Sequence, residues 1–173
     1  NASWVIKNRY ATQIKSRNDL VHATDAHFIE SMERAARERD AIFVWAAGNN
    51  GAKQSGAISA LPLVSDDMVG HFVNVVAWDN ETGALADFSN ACGITKDYCI
   101  TAPGTNLSAG YSSNINGTSF ATPIVTAAIA VIREAFPYMK STQITELLFA
   151  TARDLGVVGV DEPYGHGMLD LER

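Results

Sequence analysis

The strongest constraint on this 173-residue chain is an apolar run near its C-terminal third. Ile124, Val125, Ala127, Ala128, Ile129, Ala130, Val131 and Ile132 follow one another with hardly a charge among them. A helix of this composition is apolar on every face and is expected to be buried rather than to lie on a surface. Its span is expected from about Ser119 to Phe136, where Pro137 stops it. Immediately before it stands Asn116-Gly117-Thr118-Ser119-Phe120-Ala121-Thr122-Pro123. Ser119 therefore falls at or next to the helix N-cap, where unpaired backbone N–H groups and the positive end of the helix dipole converge. Such a serine is either an ordinary cap or a group placed for chemistry.

The elements upstream read as helix and strand in alternation. A helix follows Thr24 as N-cap, with Phe28, Ile29, Met32, Ala35 and Ala36 on one face. Ala41–Ala47 and Phe72–Trp78 are short, β-branched and aromatic runs that read as buried parallel strands. Asn1–Ile6 reads as the end of a further strand. Ala84–Phe88 is short enough to pair back as a hairpin, and Ile100–Gly104 closes another strand. Lys7–Val21, Ala52–Gly70 and Thr105–Ile115 lack a regular period and are expected to be loops. A last helix starts near Ser141 or Thr142, with Gly156 as its stop. The alternation implies an α/β fold, a largely parallel sheet flanked by helices.

Composition narrows the partners. The chain is 47% hydrophobic and 18% charged with a net charge of -6, so no basic surface for nucleic acid is evident. No window has the roughly 18 uninterrupted apolar residues of a membrane span. Cys92 and Cys99 lie in a polar loop with Lys96 and Asp97. They are either two buried thiols or a disulfide. So polar a loop is a poor place to bury thiols, which favours the bridge and an oxidising compartment. No dense acidic loop suggests calcium, and neither a metal site nor a cofactor is assigned.

Gly117-Thr118-Ser119-x-Ala121-x-Pro123 matches G-T-S-x-A-x-P, the nucleophile signature of the subtilisin-like serine proteases, and the chain resembles that family. A G-x-S-x-G nucleophile elbow is absent at this serine, which excludes an α/β-hydrolase. Ala46-Ala47-Gly48-Asn49 resembles the strand end from which the family donates an asparagine N–H to the oxyanion. Phe88-Ser89, Ala102-Pro103-Gly104, Tyr164-Gly165-x-Gly167 and Asn1-Ala2-Ser3-Trp4 resemble the family's F-S, A-P-G, Y-G-x-G and N-x-S segments, in the family's order. The cysteine pair beside A-P-G is similar to that of bacterial autotransporter subtilases, which implies secretion or the bacterial cell surface. The resemblance implies Ser119 as nucleophile, Asn49 as oxyanion donor, and Ser3, Trp4, Ala47 and Gly48 as substrate-binding residues, with a polypeptide as substrate.

One part of the pattern is missing. The family's D-[ST]-G and H-G-T-H motifs do not occur, and His22, His27, His71 and His166 stand in other settings. In the family both motifs lie upstream of N-x-S. Residues 1–173 are therefore expected to be the C-terminal part of a peptidase domain, inactive alone and poorly soluble unless bound to the missing N-terminal part. A non-catalytic binding or scaffold module on the same fold is the alternative.

Overall fold

The computed structural model describes residues 9–110 and 112–173. The expected strand Asn1–Ile6, and with it Ser3 and Trp4, lies outside the described residues.

The chain enters through a short 3-10 turn, Ala11–Gln13, and then α1 (Arg17–Ala23). The loop expected over Lys7–Val21 is therefore corrected over its described part, residues 9–21. Ser16 and Asp19 form a capping box: the Ser16 hydroxyl accepts from the Asp19 N–H at 3.3 Å, and the Asp19 carboxylate accepts from the Ser16 N–H at 2.8 Å. Ala11, Ile14 and Leu20 are buried, so the segment belongs to the core. α2 (Ala26–Arg39) is capped by Asp25, whose carboxylate accepts from the Phe28 N–H at 3.1 Å. Thr24 instead closes α1, its hydroxyl donating to the Leu20 carbonyl at 2.7 Å.

β1 (Phe43–Ala46) leads into a second segment expected as loop. Ala52–Gly70 in fact holds a 3-10 turn at Ala57–Ala60, α3 (Leu61–Val64) and another 3-10 turn at Asp66–Met68. These pieces are too short to show a period, yet Leu61 and Met68 are fully buried. β2 (Phe72–Asp79) is the central strand. β3 (Ala84–Leu85) folds back on it antiparallel, pairing Trp78 with Leu85. β4 (Cys99–Pro103) runs parallel to β2, pairing Asn74 with Cys99 and Trp78 with Pro103. β1 is also parallel to β2, with Phe43 opposite Phe72 and Ala46 opposite Val75. β4 takes one edge of β2; β1 and β3 share the other.

β5 (Leu107–Ala109) and β6 (Ser112–Ile115) form an antiparallel pair where an unstructured loop was expected. α4 (Thr118–Ala135) and α5 (Ser141–Ala150) complete the fold. Gly156 does not end α5. That helix stops at Ala150, and Gly156 sits in the following loop against Asp161 and Tyr164.

Side-chain alternation along β2 feeds two cores. Val73, Val75 and Ala77 pack with Ala121, Val125, Ala128, Ile129 and Ile132 of α4. Phe72 packs on the other side, with Leu20 of α1 and Ile29, Met32 and Ala36 of α2. Each fully buried Val or Ile contributes about 1.5–3 kcal/mol, so both helix layers are held by the sheet. The expectation that α4 is buried all round is corrected: Phe120 is 38% and Val131 55% exposed, so one apolar face is open.

Cys92 and Cys99 form a disulfide across a sequence separation of 7. Closing so short a loop contributes about 2.5 kcal/mol in the loop-entropy estimate. Beneath it, the buried Asn74 amide donates to Ser55 at 2.6 Å and Thr95 at 2.8 Å.

Arg17 binds Glu33 through two nitrogens, at 2.9 and 2.7 Å, and the Ser65 hydroxyl donates to the same carboxylate at 2.8 Å. The hydrogen bond from Arg17 holds the Glu33 carboxyl below its ordinary value, against the opposing effect of burial. A depressed carboxyl stabilises the fold above the unfolded-state pKa and loses that contribution as pH falls through the folded one. Glu33→Gln is accordingly expected to cost about 1–3 kcal/mol at neutral pH. The gap from the unmodified protein should start to narrow near the ordinary glutamate value, about pH 4, and close as pH falls through the lower folded one. Urea unfolding at several pH values checks this; a gap independent of pH would assign the loss to packing.

Candidate active site

The parallel strands of the sheet share a direction, and β1 and β4 both end beside the start of α4. Beyond β1 the chain makes a sharp turn. Ala47 is wholly buried; its N–H donates to the Val75 carbonyl, and its carbonyl accepts from Gly56 and from the Asn90 amide, all at 2.9 Å. Ala47 thus belongs to the scaffold under the turn. Gly48 has φ +111, a value that disfavours L side chains. A Cβ there would also lie 2.5 Å from the Asn90 Nδ2, so the protein's own packing requires this glycine.

The turn presents Asn49 to the helix. Its Oδ1 accepts two hydrogen bonds from Thr118, from the backbone N–H at 2.9 Å and from the hydroxyl at 2.8 Å. Two donors on one oxygen fix which end of the amide is which: Oδ1 faces Thr118, and Nδ2 is the opposite end. Gly117, with no side chain, borders that nitrogen; a Cβ on it would lie 3.6 Å from Nδ2.

Gly117, not Ser119, is the N-cap of α4, and Ser119 is its second helical residue. It is half-buried, between buried Thr118 and exposed Phe120. First-turn N–H groups and the helix dipole favour negative charge at this end. The helix start is seated by Gly104, whose carbonyl accepts from the Gly117 N–H at 2.9 Å while its own N–H donates to Trp78 of β2 at 2.9 Å. A Cβ on Gly104 would meet that of Ala77 at 2.4 Å, which is the physical demand behind Ala-Pro-Gly. The segment after Gly104 is anchored by Thr105, whose hydroxyl donates to Asp79 at 2.8 Å. The Glu81 N–H and that hydroxyl hold the Asp79 carboxyl below the usual carboxylate range.

The remaining motif residues are structural supports. The Ser89 hydroxyl accepts from the Ala77 N–H at 3.0 Å and donates to the Asn90 carbonyl at 2.9 Å, tying Phe88-Ser89 to β2. Tyr164-Gly165-His166-Gly167 borders β4: the His166 N–H donates to Cys99 and the Thr101 N–H to Gly167. The histidines have local engagements. His22 meets the Asn18 carbonyl, His71 that of Ala41, and His166 that of Asp97 while stacking on Phe149; His27 lies 3.8 Å from Glu30. Among the described residues no cluster of three His, Cys, Asp or Glu could hold a metal, and no helix is long and apolar enough to cross a membrane. Two residues of this site are given no role in the sequence reading: Thr118, which stands inside the serine motif, and Asn90, which stands outside every motif. Each lies next to a residue singled out, and neither has a spacing that announces its hydrogen bonds.

Fold and site together define an α/β chain in which a serine-bearing helix start is docked on a strand-end asparagine. The chain belongs to the Subtilase family, whose model matches residues 1–167. It is 31% identical to the autotransporter lipoprotein NalP of Neisseria meningitidis serogroup B over 150 residues, covering 78% of this chain and 14% of that protein. It is 33% identical to an extracellular serine protease of Serratia marcescens over 171 residues, covering 83% and 16%. A solved mutant of the protease domain of PatA superposes with a TM-score of 0.66 at 25% identity, covering 86% of this chain and 52% of that one. The chain thus spans less than a fifth of those two bacterial relatives and about half of the solved domain.

Proposed function

We propose that this chain supplies the nucleophile and the oxyanion donor of a secreted or cell-surface serine endopeptidase, and that further residues of the same domain supply the base. The observation that carries the reading is the double tether of Asn49 Oδ1 by Thr118, one residue before Ser119. A tethered neutral amide is a preorganised donor, and preorganisation is what an oxyanion site needs.

In this reading Ser119 Oγ attacks the scissile carbonyl of a polypeptide, and its proton passes to a histidine held by an aspartate. Negative charge develops on the former carbonyl oxygen, where Asn49 Nδ2 and the first-turn N–H of Ser119 receive it. The C–N bond breaks, the departing amine takes the proton, and an acyl-Ser119 ester remains. Water, deprotonated by the same base, attacks the ester and restores the serine. Ser3, Trp4 and Gly48 line the substrate in this scheme, and no metal or cofactor takes part.

The four histidines, each engaged locally, support a base from outside this chain. The open apolar face of α4, with Phe120 and Val131, supports a neighbour that covers it. We assign that neighbour to the N-terminal part of the same domain. Exported relatives support the location.

Fluorophosphonate labelling tests the reading. The expected outcome is one label on Ser119 in the parent protein, mapped by mass spectrometry, and none on the isolated chain. A folded parent without label would favour the non-catalytic module. A labelled isolated chain would overturn the separate origin of the base.

A further inference from the structure

Asn90 is buried, 1% exposed, and its side chain spends itself on the turn that carries Asn49. Its Oδ1 accepts from the N–H groups of Asn50 and Ala52, each at 3.0 Å. Its Nδ2 donates to the Ala47 carbonyl at 2.9 Å, and its backbone N–H donates to the Gly48 carbonyl at 2.9 Å. Residues 47, 48, 50 and 52 are therefore all held by one asparagine. Two more bonds close the same seam, Gly51 N–H to Phe88 and Ala91 N–H to Ala52, each at 2.8 Å. Ser89 then ties that seam to Ala77 of β2. Thr118 holds the side chain of Asn49, and its hydroxyl reaches the turn's backbone only through a long bond from the Gly48 N–H, at 3.4 Å.

We propose that Asn90 is a positioning residue for the oxyanion donor: it fixes the backbone on both sides of Asn49, so that the tethered amide points where charge develops. This rests on the proteolytic reading above. The chemistry requires a primary amide here, because the seam needs an acceptor for two N–H groups and a donor for one carbonyl on a single short side chain. Aspartate lacks the donor, and alanine strips the Asn50 and Ala52 N–H groups of their acceptor and leaves the Ala47 carbonyl with the Gly56 N–H alone.

The test is a double-mutant cycle in the full parent protein, with Asn49→Ala and Asn90→Ala made singly and together. Asn90→Ala is expected to lower kcat about 10- to 100-fold with KM changed less than about twofold, the signature of a displaced transition-state contact. In the Asn49→Ala background the same substitution should cost no further kcat. Asn90→Ser, which keeps a hydroxyl in the space, repeats the cycle should the alanine variant not fold, and melting curves identify the folded variants. Equal losses in both backgrounds, or full kcat in a folded Asn90 variant, would overturn the role of Asn90 alone. A folded parent without turnover before any substitution would overturn the proteolytic reading and this inference with it.

Discussion

Ser119→Ala in the parent protein is expected to lower kcat by about 10⁶, the loss known for the nucleophile of a subtilisin. The size follows from the covalent step: without Oγ no acyl-enzyme forms, and only oriented water and the oxyanion donors are left to act. The variant should remain folded, because Ser119 is half-buried at the second position of α4 and Gly117 caps the helix without a side-chain bond. Steady-state hydrolysis of a peptide, with circular dichroism as control, checks both statements. Retention of more than about a hundredth of kcat in a folded variant would point to another nucleophile.

Asn49→Ala is expected to lower kcat by about 10²–10³ with little change in KM, the range measured for the corresponding donor in a subtilisin. A second effect distinguishes this site. The same side chain accepts both hydrogen bonds from Thr118, so its removal also frees the start of α4. Melting should therefore register a loss of about 1–2 kcal/mol. Thr118→Val keeps the backbone bond to Asn49 while removing the hydroxyl's contacts with Asn49 and the Gly48 N–H, and should give a smaller loss of both kinds. A stable Asn49→Ala variant with unchanged kcat would remove Asn49 from the chemistry.

Long apolar periods carried the fold in the sequence. β2 and α4 are legible because burial on both faces of a strand, and on most of a helix, writes continuous apolar runs. What stayed hidden is short or is held by contacts distant in the chain. Leu61 and Met68 are core residues in helical pieces too brief to show a period, and Ser16 with Asp19 form a cap in a stretch that reads as irregular. β5 and β6 are only three and four residues long, too short for an alternation to stand out from a loop rich in Ser and Asn. At the site, Ser119 and Asn49 were legible through their motifs. The tie from Thr118 to Asn49 and the whole role of Asn90 were not, because that work is done by bonds spanning 69 and about 40 residues.

The parallel sheet has a consequence in time. β1 pairs with β2 from Phe43 to Phe72, and β2 with β4 from Asn74 to Cys99, so each ladder must close a long loop before its first bond forms. Among the described strands of this sheet, β3 alone returns locally. Assembly of such a sheet is slow compared with a hairpin meander. The helix that covers Val73, Val75 and Ala77 comes later still, at Thr118–Ala135. During synthesis at about 5–20 residues per second, those side chains wait several seconds on the ribosome without their cover. A nascent chain of this design is exposed to aggregation in that interval, and a chaperone that binds apolar strands has its window there.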